Sequence, residues 1–98
     1  MYARHVTVHG SPEKVAEAVR SVRDHVLPVL KDCEGFKGQL LLVDRAKGEA
    51  IGISLWDTEA NMNASEAKVS AARQQTADEV GASAGPEVRL YELPIFEQ

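Results

Sequence analysis

Phe36-Lys37-Gly38-Gln39-Leu40-Leu41-Leu42-Val43-Asp44-Arg45-Ala46-Lys47-Gly48-Glu49-Ala50-Ile51-Gly52-Ile53-Ser54-Leu55-Trp56 is the stretch whose reading decides the fold. Phe36 to Asp44 and Ala50 to Trp56 are two runs of strand length, rich in aliphatic and aromatic residues. The short Arg45–Gly48 segment between them ends in a turn-favouring glycine, so the pair reads as an antiparallel hairpin. Leu40-Leu41-Leu42-Val43 is apolar at successive positions, which leaves the orientation of that first strand open.

Working outward, Asp32-Cys33-Glu34-Gly35 precedes the hairpin and reads as the end of a helix. That helix opens at Ser11-Pro12-Glu13, where a hydroxyl cap, a proline in the first turn and an acid at the positive end of the dipole coincide. Val15, Val19, Val22, Val26 and Val29 fall on one face of it, the 3.6-residue signature. Pro28 is expected to kink or end it near the last turn. Before it, Tyr2 to His9 is a strand stopped by Gly10. After the hairpin, Asp57 or Thr58 caps a second helix running to about Val80. Gly81 to Pro86 is a loop, Val88 to Leu93 a fourth strand, and Pro94 ends it.

The order β-α-β-β-α-β defines an α+β, ferredoxin-like fold: a four-stranded antiparallel sheet with both helices on one face. Period-2 alternation turns Val6, Val8, Ile51, Ile53, Leu55, Val88 and Leu90 toward the helices. It leaves Ala3, His5, Thr7, His9, Ala50, Gly52, Ser54, Trp56, Arg89 and Tyr91 on the bare face. A sheet face carrying large apolar groups invites a second copy, so a homodimer is expected, with the tail Ile95-Phe96 docking on the partner.

The chain has 98 residues, 44% hydrophobic and 27% charged, with a net charge of −4. One domain over residues 1–98, with 93–98 as a tail, accounts for that length. The acidic balance argues against nucleic acid as a partner. A single cysteine makes no internal disulfide, no apolar run is long enough for a membrane span, and the first residues do not read as a secretory leader. A cytoplasmic protein is expected.

The Cys33-Glu34-Gly35-Phe36-Lys37-Gly38 junction, the Leu40–Asp44 strand and Ile53-Ser54-Leu55-Trp56-Asp57-Thr58-Glu59 resemble the antibiotic-biosynthesis-monooxygenase-like family of the dimeric α/β-barrel superfamily. The resemblance covers residues 2 to 93. It implies a dimeric α/β barrel and cofactor-independent oxygenation of an aromatic or quinol-type small molecule, in a pocket between the sheet and the dimer partner. Non-catalytic ligand-binding or stress-related dimers are the alternative fate, and haem-degrading relatives a further one. That branch carries a histidine early in helix two, where this chain has Asn63-Ala64-Ser65-Glu66-Ala67. It also carries an asparagine near the start of strand one, where this chain offers Ala3 or Arg4.

The topology brings Trp56 and Tyr91 to the same end of the sheet as His5, with Thr7, Ser54 and Arg89 deeper in. The expected catalytic residues are His5 as base and Arg89 or Tyr91 as stabilisers of the substrate anion. Trp56, Ser54 and Thr7 are the expected substrate-binding residues. No cofactor is implied. Three scattered histidines and Cys33 lack metal-ligand spacing, and Cys33 near a helix C-terminus lacks the setting of a nucleophile. Structural roles compete for several of these residues. His5 also fits a hydrogen-bonded core imidazole, Tyr91 an interface filler, and Arg89 a partner of Glu87 or Glu92. His9 reads as structural and His25 as exposed. The helix-two residues Glu59, Glu66, Lys68, Arg73, Asp78 and Glu79 read as a solvated face.

Overall fold

The computed structural model describes residues 1–82 and 84–98. Strand β1 (Tyr2–His9) leads through a 3₁₀ turn at Pro12–Lys14 into helix α1 (Val15–Ser21). A π-helical stretch, Val22–Val26, then joins α1 to α2 (Leu27–Lys31). The hairpin strands β2 (Phe36–Asp44) and β3 (Glu49–Trp56) follow, then the long helix α3 (Glu59–Glu79) and strand β4 (Glu87–Glu92). The sheet order is β2-β3-β1-β4 with every neighbouring pair antiparallel. This is the expected ferredoxin-like α+β order. Ser83, in the predicted 81–86 loop, lies outside the described residues.

Local chemistry explains most boundaries. Thr58 Oγ1 accepts from the Asn61 amide at 3.1 Å and caps α3, whereas Ser11 makes no side-chain cap. Gly48 ends the hairpin turn at φ +70, and a Cβ there would stand 2.3 Å from the Gly10 carbonyl oxygen. The close approach of turn and strand end therefore requires glycine. Pro28 does not stop the first helical run. Having no N–H, it cannot continue a regular α-ladder. The turn before it widens instead, the Leu27 amide bonding Val22 O five residues back. Proline is absorbed by a π-bulge, and the helix continues to Lys31.

The core forms two clusters between sheet and helices. One joins Val26, Leu30, Cys33, Trp56, Met62 and Val69; the other joins Val8, Ala18, Ala50, Ala77 and Val80. The register shows that one expectation was inverted. Tyr2 pairs with Trp56, Arg4 with Ser54, Val6 with Gly52 and Val8 with Ala50. Residues opposed in a ladder share a face, so the correct placement of Val6 and Val8 toward the helices carries Gly52, Ser54 and Trp56 with them. Ile51, Ile53 and Leu55 point to the other face. Alternation favours the aliphatic β3 residues for the core, but the indole is larger and has its N–H partner, Ser54, two residues away on the same side. Trp56 is fully buried.

The face without helices is therefore more aliphatic than the sequence suggested. It presents Leu40 and Leu42 from β2, registered with Ile53 and Ile51 of β3, and Tyr91 from β4. Leu40, Leu42 and Tyr91 are 42%, 50% and 50% exposed, and the tail residues Ile95 and Phe96 are also exposed.

Candidate functional site

Beneath the helices the floor of the sheet is laid out in rows across β2, β3 and β1. Phe36, Trp56 and Tyr2 form one row; Gln39, Ser54 and Arg4 the next; Leu41, Gly52 and Val6 the third. The spacing between Phe36 and Gln39 is irregular for a strand. A β-bulge between Phe36 and Gly38 restores both side chains to one face. The result is a single polar row set in an apolar floor. Over it lies a partly open cavity of about 60 Å³, room for a few water molecules at the ~10–15 Å³ that one needs. Val22 and Val26 of the π-helical stretch, Leu30 of α2, and Val69 and Thr76 of α3 form its roof. Val22, Gln39 and Leu41 also line an outer groove of about 420 Å³, which runs between the first helical run and β2 past Arg23 and Lys31.

Two guanidiniums reach this cavity, from Arg4 and from Arg73 of α3. Arg4 is 2% exposed. Its Nη2 donates to Met62 O at 2.6 Å and to Ser65 Oγ, and its guanidinium lies 5.4 Å from the centre of the Trp56 ring, within cation–π range. Trp56 Nε1 donates to Ser54 Oγ at 2.8 Å, and Phe36 meets the indole edge-on at 5.7 Å. Arg73 clasps Glu66 through two bonds of 2.8 and 2.7 Å, the bidentate geometry that guanidinium favours. Arg4 Nε lies 3.5 Å from the same carboxylate.

Burial pushes the Arg4 pKa below the ordinary arginine value, opposed by Glu66. Hydrogen bonding from Arg73 holds the Glu66 carboxyl below its usual value, against the smaller effect of burial. A depressed carboxylate stabilises the fold above its unfolded-state pKa and loses that contribution as pH falls through its folded-state pKa. Thermal stability is thus expected to decline on acidification below the ordinary carboxylate range. Glu66→Gln is expected to flatten that part of the decline; melting curves between pH 7 and pH 3 measure it. An unchanged acid slope in the variant would remove Glu66 from the account.

The sequence-derived site set divides between the two faces. Ser54 lines the cavity, and Trp56 lies under Arg4 as part of the core rather than as a cavity wall. His5, Thr7, Arg89 and Tyr91 stand on the opposite face, His5 in register with Ile53 and Arg89. His5 and Tyr91 do meet, edge-on at 6.2 Å, and His5 Nδ1 is buried without a hydrogen-bond partner. Arg89 is an exposed group paired with Glu87 at 2.7 Å, the structural role weighed for it. The expected single pocket holding His5, Trp56 and Tyr91 is corrected: the sheet itself separates the indole from the other two. His25 is exposed, and His9 is exposed beside Glu49.

Arg4, Gln39, Glu66 and Arg73 escaped the sequence reading. Arg4 shares the parity of Val6 and Val8, so a cation at a core position was already visible as a broken pattern. Gln39 shares the parity of Leu41 in the same way. Glu66 and Arg73 gave no such signal, since helical charges seven residues apart look like any solvated face. Arg73 in fact has a side chain only 11% exposed.

This fold recurs among solved structures. A monooxygenase of Streptomyces coelicolor in complex with the ligand nanaomycin D superposes with a TM-score of 0.79 at 12% identity, covering 99% of this chain and 91% of that one. A protein of unknown function from Nitrosomonas europaea gives 0.79 at 18%, covering 99% and 92%. An antibiotic biosynthesis monooxygenase gives 0.69 at 16%, covering 95% and 98%. Such identities establish the fold, and the fold is that of the antibiotic-biosynthesis-monooxygenase-like proteins. No family model matches the sequence.

Among curated proteins, the uncharacterized protein Rv2557 of Mycobacterium tuberculosis is 36% identical over 98 residues, all of this chain and 43% of the relative. Rv2558 of the same organism is 39% identical over 77 residues, 79% of this chain and 33% of the relative. The chain thus spans less than half the length of these relatives. Among the described residues no helix is long and apolar enough to cross a membrane.

Proposed function

We propose that this chain is a cofactor-independent monooxygenase of a small aromatic or quinol-type compound, which it holds between the sheet and the helices. The observation that carries the reading is the polar row of Gln39, Ser54 and Arg4 set in an apolar floor, beside an outer groove of about 420 Å³ that Gln39 and Leu41 also line. A deprotonated phenol or enol is electron-rich enough to reduce O₂ directly. In the simplest case a ring-flanked methylene becomes a carbonyl, one oxygen atom entering the product and the other leaving as water. Such a reaction asks the protein to favour the ionised substrate, orient it and exclude solvent. Arg4 and Arg73 serve the first need, Gln39 and Ser54 the second, and Val6, Val22, Leu41 and Val69 the third. The monooxygenases of the same fold support the chemistry.

A homodimer through the helix-free face completes the proposal. Exposed Leu40, Leu42 and Tyr91 on that face, and the exposed tail Ile95-Phe96, favour it. The unpartnered His5 Nδ1 on the same side then finds its hydrogen bond across the interface.

Oxygen uptake with a panel of anthrones and quinols, without added metal or cofactor, tests the activity. Gly52 lies on the cavity floor, and a Cβ there would stand 3.2 Å from Gln39 Nε2. Gly52→Val, checked for folding by circular dichroism, is therefore expected to lose at least about tenfold in rate by filling the site. Absence of uptake by the wild-type protein on every compound would refute the activity.

A further inference from the structure

Two apolar features of the chain lie uncovered, and they complement each other. The first is the segment after β4. Leu93 is held through its amide, which donates to Met1 O at 2.8 Å. Beyond Pro94, Ile95 and Phe96 are 78% and 49% exposed, and the acid Glu97 follows them. The second is the outer groove of about 420 Å³, walled by Val19, Leu27, Phe36 and Leu41 with Arg23 and Lys31 at its rim. Arg23 is engaged by Asp24 at 3.3 Å. Among the described residues neither Lys31 nor Glu97 is in an ion pair. An apolar pair followed by an acid matches an apolar cleft edged by a base.

One copy cannot join the two. Glu92, Tyr2, Trp56 and Phe36 form a single row across the sheet, so the end of β4 stands three strand spacings, about 14 Å, from Phe36. Phe96 is three residues past the anchored Leu93, a reach of at most about 11 Å, and Trp56 packed under Met62 bars the straight path. A second copy can. In the proposed homodimer the helix-free faces oppose each other about 10 Å apart. A twofold axis parallel to the strands sets the partner's β4 over β2, with its end above Phe36. β2 is an edge strand with no outer neighbour, so the residues after the partner's Leu93 have room to turn round that edge.

We infer that the Ile95–Glu97 segment of each copy lies in the outer groove of the other, the Phe96 ring between Leu27 and Phe36 and Glu97 against Lys31. The inference rests on the proposed homodimer and goes beyond it by giving the tail a seat and the twofold axis a direction. It also completes the site. Gln39 and Leu41 line both the groove and the cavity over the polar row, so the partner's chain closes this mouth against water.

Sedimentation equilibrium of the full chain and its variants tests this. Phe96 is half exposed, so Phe96→Ala is expected to fold normally by circular dichroism and to weaken the dimer by at least about tenfold. Glu97→Lys and Lys31→Glu are each expected to weaken it by about threefold or more, and combining them to return it to within about twofold of the wild type. Glu97→Lys combined with Lys68→Glu restores the net charge outside the groove and is expected to stay weak. A weakened Phe96→Ala dimer without rescue in the Glu97→Lys/Lys31→Glu pair would overturn the groove as the seat of the tail. A dimer unmoved by any of these changes would overturn the inference and leave the helix-free interface standing. A monomeric wild-type chain would sink the homodimer, and this inference with it.

Discussion

Replacing Trp56 by alanine is expected to destabilise the protein by about 3–5 kcal/mol, the range for removing a large aromatic from a packed core. The side chain is fully buried in the cluster with Val26, Leu30, Met62 and Val69. Its removal opens a hole beneath Arg4, deprives the guanidinium of the ring it faces, and leaves Ser54 Oγ without its indole donor. Domains of this size have total stabilities of about 5–15 kcal/mol, so the loss is a large fraction of the total. Urea denaturation followed by circular dichroism measures the loss. Trp56→Phe keeps most of the buried area while losing the bond to Ser54, and a smaller cost of about 1–2 kcal/mol is expected. A loss under 1 kcal/mol for the alanine variant would mean that the indole is not the keystone of this core.

A charge placed on the helix-free face is expected to act on assembly rather than on folding. Leu42 is half exposed on the edge strand β2, so Leu42→Arg is expected to change the stability of the isolated chain by no more than about 0.5 kcal/mol. In the proposed dimer the same position lies against the partner, and two arginines related by the twofold axis would be desolvated without counter-charges. A cost of several kcal/mol follows, enough to weaken self-association by more than about a hundredfold. Sedimentation velocity at micromolar concentration is expected to show a dimer for the wild-type chain and a monomer for Leu42→Arg. A monomeric wild-type chain would defeat the proposal before any substitution is made.

Turn chemistry and period made the element order readable from the sequence. Gly48 closes the hairpin, Thr58 caps α3, and the valine stripe marks the first helical run. Facing was harder. Strand β2 is apolar at consecutive positions, and β3 alternates Ile51, Ile53 and Leu55 with Ala50, Ser54 and Trp56, so the hydrophobic pattern offers two near-equal choices. The deciding fact is nonlocal: β1, whose Val6 and Val8 face the helices, dictates the face of β3 through the ladder. Carrying that parity across the register would have moved Trp56 to the helices and exposed Arg4 as a buried cation. The Glu66–Arg73 clasp lay beyond such reasoning, because which charges of a helix turn inward depends on how the helix is rotated over the sheet. The relatively short reach of the apolar stripe on α3, where Ser65 and Thr76 are buried alongside Met62 and Val69, gave no firm reading of that rotation.

For the proposed enzyme, the widened turn ahead of Pro28 bears on which substrates would fit. The sheet side of the chamber is pinned by backbone ladders on both flanks of β3 and resists deformation. The opposite wall includes Val22 and Val26, carried on a turn whose amides span five residues instead of four, so its geometry is the softer of the two. In the proposed enzyme, adaptation to bulkier rings would fall to this one panel. Its breadth of choice would then depend on a proline outside the cavity lining, and Pro28→Ala is expected to tighten the coil and narrow the repertoire.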